Sequence, residues 1–179
     1  MMFTKVEEQK EYALKILERL SIIDPDIVIG GGAPRDWHFG RLAKDFDIYV
    51  QGKTFEDYLS VGNRIEKLGI KLKDVTASSP EYTGKSDNGV LGVYNVVNLY
   101  HPVQIIVCDR FPSQMVNTFM TSISKIYMTK YGNTYKDSTF DIGKEYNCIF
   151  IEENADPKYI NKILQKFPNM QPIYQPIKL

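Results

Sequence analysis

With 179 residues, 43% of them hydrophobic and 25% charged, the chain has the size and balance of a globular protein able to bury its own core. Lysine plus arginine and aspartate plus glutamate both number 22, so no overall basic excess favours strong nonspecific nucleic-acid binding, while a local basic face stays compatible with it. Two cysteines, Cys108 and Cys148, make neither a disulfide framework nor a zinc site; with no leader-like segment or membrane-length apolar run, the expected location is the cytoplasm.

Residues 4–20 are rich in Glu, Lys and Leu, and Tyr12, Leu14, Leu17 and Leu20 fall on one stripe, which predicts an amphipathic helix used for packing. Asp26-Ile27-Val28-Ile29 is short, β-branched and stopped by glycine, the pattern of a buried strand running into a turn. Gly30, Gly31 and Gly32 lack a Cβ, so the backbone can take positive φ and a bulky anion can approach main-chain N–H groups. Ala33-Pro34 opens a helix whose N-terminus adds free donors and a partial positive charge. Arg35 offers a charged fork to an anion or a brace to nearby carboxylates. Trp37 and Phe39 read as core residues rather than base-stacking platforms, and His38 as a partly exposed polar residue with no second ligand at metal spacing.

Gly40-Arg41-Leu42-Ala43-Lys44 returns the chain to a second strand, Asp45-Phe46-Asp47-Ile48-Tyr49-Val50. Strand periodicity is two, so Asp45 and Asp47 point one way while Phe46 and Ile48 point into the core. Two carboxylates held side by side repel each other unless a cation sits between them, and a hard ion such as Mg²⁺, shared with phosphate oxygens, resolves the conflict.

Gly31-Gly32-Ala33-x-Arg35-Asp36, then Gly40-Arg41, then Lys44-Asp45-x-Asp47-Ile48, resembles the head-domain signature of the DNA polymerase β-type nucleotidyltransferase superfamily. The likeness is to the branch of CCA-adding enzymes and bacterial poly(A) polymerases, and to short phage-encoded nucleotidyltransferases; the close match spans about two dozen residues. It implies that Asp45 and Asp47 are catalytic metal ligands for two Mg²⁺ ions, that Gly31 and Gly32 line the triphosphate of ATP or another nucleoside triphosphate, and that Arg35, Asp36, Arg41 and Lys44 shape or support that site. The implied fold is α/β (α+β), a mixed, mostly antiparallel sheet with helices packed mainly on one face. The implied activity moves a nucleoside monophosphate to a hydroxyl of an RNA 3′ end, a small molecule or a protein, in the host cytoplasm if the chain is phage-encoded. The other reading is a nucleotide- or partner-binding module that keeps the fold without the catalysis.

Further along, Thr54 caps a helix through Leu68 that Gly69 ends, residues 71–76 read as a strand, and residues 77–89 as an exposed loop. Residues 91–99 and 103–107 predict two strands joined across His101-Pro102. Superfamily members draw a third carboxylate from a later segment. Their looser Arg-Asp-Phe-Thr-like echo aligns with Phe119-Met120-Thr121-Ser122-Ile123-Ser124, which puts Met120 where the aspartate would be. A thioether neither ligates Mg²⁺ nor takes a proton. Asp109 is a substitute donor or a strand-end turn residue, and Gln104 occupies a strand position where some members carry an acid.

Residues 111–119 predict a short helix, and 123–128 with 133–135 a hairpin across Tyr131-Gly132-Asn133, whose Tyr127, Tyr131 and Tyr135 either stack a base or cover a core. A helix over 137–145, a strand over 148–151 and a helix begun by Asp156-Pro157 and running to Phe167 follow. Residues 1–168 are thus expected to form one nucleotidyltransferase-like domain, and 169–179 an extended tail.

Overall fold

The computed structural model describes residues 2–78 and 88–175. Helix α1 (Val6–Leu20) is followed by β1 (Val28–Gly30), α2 (Gly32–His38), β2 (Phe46–Gln51), α3 (Phe55–Lys67) and β3 (Leu72–Asp74). Then come β4 (Val90–Val96), β5 (Val103–Cys108), α4 (Pro112–Asn117), β6 (Ile126–Thr129), β7 (Thr134–Lys136), α5 (Ser138–Tyr146), β8 (Cys148–Glu152), α6 (Pro157–Lys166) and β9 (Gln171–Gln175).

Seven strands form one sheet in the order β3-β4-β5-β2-β1-β6-β7, antiparallel at every junction except β2 with β5. This is the mixed, mostly antiparallel α/β arrangement expected from the sequence. Period-two alternation divides the sheet into two faces. Ile29, Phe46, Ile48, Val50, Ile105 and Tyr94 join α1, α2 and α3 through Leu17, Leu20, Trp37, Tyr58 and Ile65 in the largest core cluster. On the opposite face Val28, Tyr49, Val93, Ile106 and Cys108 lie under α4, through Met115 and Val116. Gly30 is required here, because a Cβ would stand 2.4 Å from Val116 Cγ2.

The buried side of α1 is Ala13, Ile16, Leu17 and Leu20, with Tyr12 and Leu14 at its margin. Gln9 is buried among them and is satisfied rather than stranded: its Oε1 accepts from Trp37 Nε1 and the Ala43 amide, both at 2.7 Å, and its Nε2 donates to the Ala43 carbonyl at 2.8 Å. Gln9 thereby fixes the segment leading into β2.

Helix α3 begins with the expected Thr54 cap, whose side chain accepts from the Asp57 amide while the Asp57 carboxylate accepts from the Thr54 amide. Of the loop expected over 77–89, residues 79–87 lie outside the described residues, and Ala77 and Ser78 belong to a 3₁₀ turn, Thr76–Ser78. The β4–β5 and β6–β7 hairpins form as read, with Gly132 at φ 80° in the second turn. Strand β6 starts at Ile126 rather than residue 123, because Ser122–Ser124 closes into a 3₁₀ turn held by the buried Thr121–Ser124 hydroxyl contact at 2.8 Å. Gln171–Gln175, read from the sequence as part of an extended tail, is a strand that pairs in parallel with β8, Cys148 opposite Gln171 through Glu152 opposite Gln175. Pro172, which has no N–H to give, is tolerated on this edge strand. Helices α5 and α6 pack with β8 around Phe140, Ile149, Ile151, Ile160, Ile163 and Phe167. Among the described residues no helix is long and apolar enough to cross a membrane.

Candidate functional site

Gly31 has φ 66° and ψ −113°, a conformation that glycine alone takes without strain, and it swings the chain from β1 into α2. Its amide donates to the Ile126 carbonyl at 2.9 Å, so it serves the fold. The Gly32 and Ala33 amides occupy the first turn of α2, where no intrahelical acceptor precedes them. The Phe119 ring lies across Gly31, 3.0 Å from where a Cβ would stand, and 5.7 Å from the Tyr49 ring.

Strand β2 runs beside this turn. Val28 is opposite Tyr49 and Ile29 opposite Ile48, a register that sets Gly30 level with Asp47. Asp45 is exposed just ahead of β2, and Asp47 is half-buried within it, on the face opposite the fully buried Phe46 and Ile48. The glycine turn and both aspartates are therefore brought together.

The strand on the other side supplies Gln104 directly beside Asp47, and Asn95 of β4 beside Gln104. Gln104 Nε2 donates to Asn95 Oδ1 at 2.9 Å. A neutral amide oxygen can ligate a hard cation but brings no charge and accepts no proton. This register, rather than the Met120 alignment, identifies what stands at the height of Asp47. The Met120 carbonyl instead accepts from the Glu152 amide at 2.9 Å, tying that residue to β8. Asp109 lies beyond the opposite end of β5, five residues or about 16 Å from Gln104. It pairs with Arg110 at 2.8 Å, which is the strand-end role and not that of a third carboxylate.

Arg35 and Asp36 pair with each other within α2. Arg35 Nε donates to Asp36 Oδ1 at 3.1 Å, and Lys166 Nζ donates to Asp36 Oδ2. Arg41 sits with its guanidinium 4.8 Å from the Phe167 ring centroid and donates to the Lys166 carbonyl at 3.1 Å. Lys44 is exposed next to Asp45. Of the tyrosines, Tyr127 is partly buried against the α4 core, Tyr135 stacks on it with centroids 5.4 Å apart, and Tyr131 points outward beneath Lys130. Gln9, Phe119, Lys166 and Phe167 went unmarked as site-shaping residues in the sequence, whereas Gln104 was named there as a strand position at which some superfamily members carry an acid.

Among the described residues no group of three or more His, Cys, Asp or Glu side chains could enclose a metal. Asp45, Asp47 and the Gln104 amide are an oxygen-only donor set. That suits Mg²⁺, which takes one or two carboxylates and completes its shell with water and substrate phosphate.

Next to Asp45, His101 is 8% exposed, its ring centroid 4.1 Å from that of Phe46, and its Nε2 has no hydrogen-bond partner. Burial lowers its pKa against the opposing pull of Asp45. Half-buried His38 is also lowered, first by burial and then by Lys144 and Lys136. Each native pKa thus lies below the unfolded value of about 6.5, so on acidification the unfolded chain takes up protons first. The stability from neutral histidine is complete above about pH 6.5 and is lost as pH falls through the native values. Urea midpoints measured at pH 7.5 and 5.0 should fall less in His38→Gln/His101→Gln than in the wild type. Equal falls would show that carboxylates govern this range.

No family model matches the chain, and no curated protein sequence matches it. Solved structures do. A Thermotoga maritima CCA-adding enzyme complexed with tRNA aligns at TM-score 0.58 and 12% identity, over 97% of this chain and 43% of its own. The fold is that of the nucleotidyltransferases. A CCA-adding enzyme with CTP aligns at TM-score 0.55 and 13% identity over 97% of this chain and 44% of its own. An apo tRNA-processing enzyme aligns at 0.58 and 14%, over 86% and 44% respectively. This nucleotidyltransferase-fold chain spans less than half the length of each.

Proposed function

We propose that the chain binds a Mg²⁺–nucleoside triphosphate between the Gly32 turn and Asp45/Asp47 and transfers the nucleoside monophosphate to a hydroxyl. An RNA 3′ end is the favoured acceptor, with a small molecule or a protein side chain as the other choices. The observation that supports this reading is the β1–β2 register, which sets the glycine turn level with Asp47. The solved structures of like fold, two of them described as complexes with CTP or tRNA, support the substrate classes.

In the reaction the acceptor oxygen attacks the α-phosphorus, the bond to the bridging oxygen breaks, and pyrophosphate leaves. Bound Mg²⁺ would neutralise phosphate charge and lower the pKa of the attacking hydroxyl. The α-phosphate belongs beside Asp45 and Asp47, and the β- and γ-phosphates run toward the Gly32 amide and the start of α2. Gln104 accepts no proton, so the hydroxyl proton passes to Asp45, Asp47 or water. The neutral Gln104 is also what favours the second reading, nucleotide binding without turnover.

Melting the protein with each nucleoside triphosphate, in Mg²⁺ and again in chelator, tests the binding step. At about 100 times its dissociation constant a ligand of the native state adds roughly 2.7 kcal/mol, a rise of roughly 5–10 °C for a chain of this size. A rise confined to Mg²⁺ is the expected result. Its absence with every nucleotide would remove both readings, and a rise without pyrophosphate release on offering RNA would select the second.

A further inference from the structure

We infer that Lys166, backed by Phe167, is a positioning residue that keeps the Arg35 guanidinium available to the terminal phosphates. The inference rests on the nucleotide-binding reading above. Arg35 is 7% exposed, and its Nη2 lies 3.8 Å from where a Cβ on Gly32 would stand, so this end of the guanidinium faces the turn that leads from β1 into α2. Its Cζ is 5.4 Å from the Phe167 ring centroid, which limits the guanidinium on one side. Asp36, 3% exposed, holds Nε through Oδ1 alone.

Guanidinium–carboxylate pairs are frequently two-pronged, using an Nη as well as Nε. Here Lys166 occupies Oδ2 from α6, 130 residues away in sequence, so that oxygen is not left for an Nη of Arg35. One carboxylate shared by two cations leaves a net positive charge, and among the described residues the guanidinium Nη atoms have no hydrogen-bond acceptor. The α-phosphate must sit at Asp45 and Asp47 for transfer, so the group that reaches the far side of Gly32 is the β- or γ-phosphate. Arg41, fixed by Phe167 and the Lys166 carbonyl, adds a second guanidinium on the same ring.

The test is calorimetric titration of the wild type, Lys166→Met and Lys166→Arg with the Mg²⁺ complexes of the nucleoside triphosphate that binds best and of its diphosphate, and with its monophosphate. Lys166→Met is expected to weaken the triphosphate about tenfold, the effect of misplacing one charge-assisted hydrogen bond, and to leave the monophosphate unchanged. Lys166→Arg, which can still occupy Oδ2, should restore most of the loss. The side chain is 36% exposed and its pairing is partly screened by solvent, so the nucleotide-free melt should barely move. If Lys166→Met fails to fold, Lys166→Gln gives the same comparison with a weaker neutral donor. Equal weakening of tri- and monophosphate, or none of either, overturns the role of Lys166 while leaving nucleotide binding in place. A wild type that binds no nucleotide overturns the binding reading itself, and this inference with it.

Discussion

Asp47→Asn should reduce nucleotidyl transfer roughly a thousandfold, since removing a metal-ligating charge forfeits several kcal/mol of transition-state stabilisation at about 1.4 kcal/mol per decade. The size of the effect follows from how little else is there to compensate. Gln104, the neighbour at the same height, is neutral and bonded to Asn95, and Asp109 lies at the far end of β5. Asp45 alone would have to hold the ion. Asparagine keeps the shape of aspartate, so the nucleotide-free melt should stay close to the wild-type value while the Mg²⁺-dependent rise disappears. A variant retaining more than a tenth of the wild-type single-turnover rate would mean that Asp47 is not a metal ligand.

Asp36→Ala is expected to cost about 3–5 kcal/mol in urea unfolding, because it strands the buried Arg35 guanidinium without its carboxylate. Most of that penalty belongs to Arg35, since the Lys166 ammonium is partly solvated and its share is screened. The penalty is one of an uncompensated charge and not of a lost bond, so Asp36→Ala/Arg35→Met should recover a large part of it. A cost below about 1 kcal/mol for Asp36→Ala would show that solvent reaches Arg35 and that the pair lacks the buried character its exposure implies.

The parts of the site made by neighbouring residues were legible in the sequence. Three glycines after a β-branched run specified a turn, and aspartates two apart specified one face of a strand. Trp37 and Phe46 were readable as core for the same reason of local pattern. What joins distant segments was not legible. The sequence left Met120, Asp109 and Gln104 as rivals for the missing acid, and the choice of Gln104 beside Asp47 follows from β2 and β5 pairing in parallel across more than fifty residues of chain. Asp36 looked like a helper of the metal site, and its partners turned out to be Arg35 and a lysine 130 residues on. Gln9 carried no mark at all, since one glutamine among glutamates and lysines reads as solvent-facing until Trp37 and Ala43 are seen to need its amide. The pairing of β9 with β8 had the same obscurity: its proline and glutamines describe a strand that is extended and exposed, and say nothing of which strand it joins.

The span between Asp36 and Lys166 also orders events during synthesis. At about 5–20 residues per second, a ribosome adding the intervening 130 residues takes roughly 7–26 s. Through that interval the glycine turn, the aspartate pair and the first helices are already out of the exit tunnel or following it, while the lysine that divides Asp36 from Arg35 does not yet exist. If Lys166 does divide Asp36 from Arg35, the nascent chain holds its carboxylates early and its guanidinium is free of Asp36 Oδ2 only once α6 is made. On the proposed role of Lys166, a segment made long after the glycine turn and the aspartates decides how Arg35 meets a phosphate, so a chain stalled before α6 is expected to fold its first layers without that arrangement.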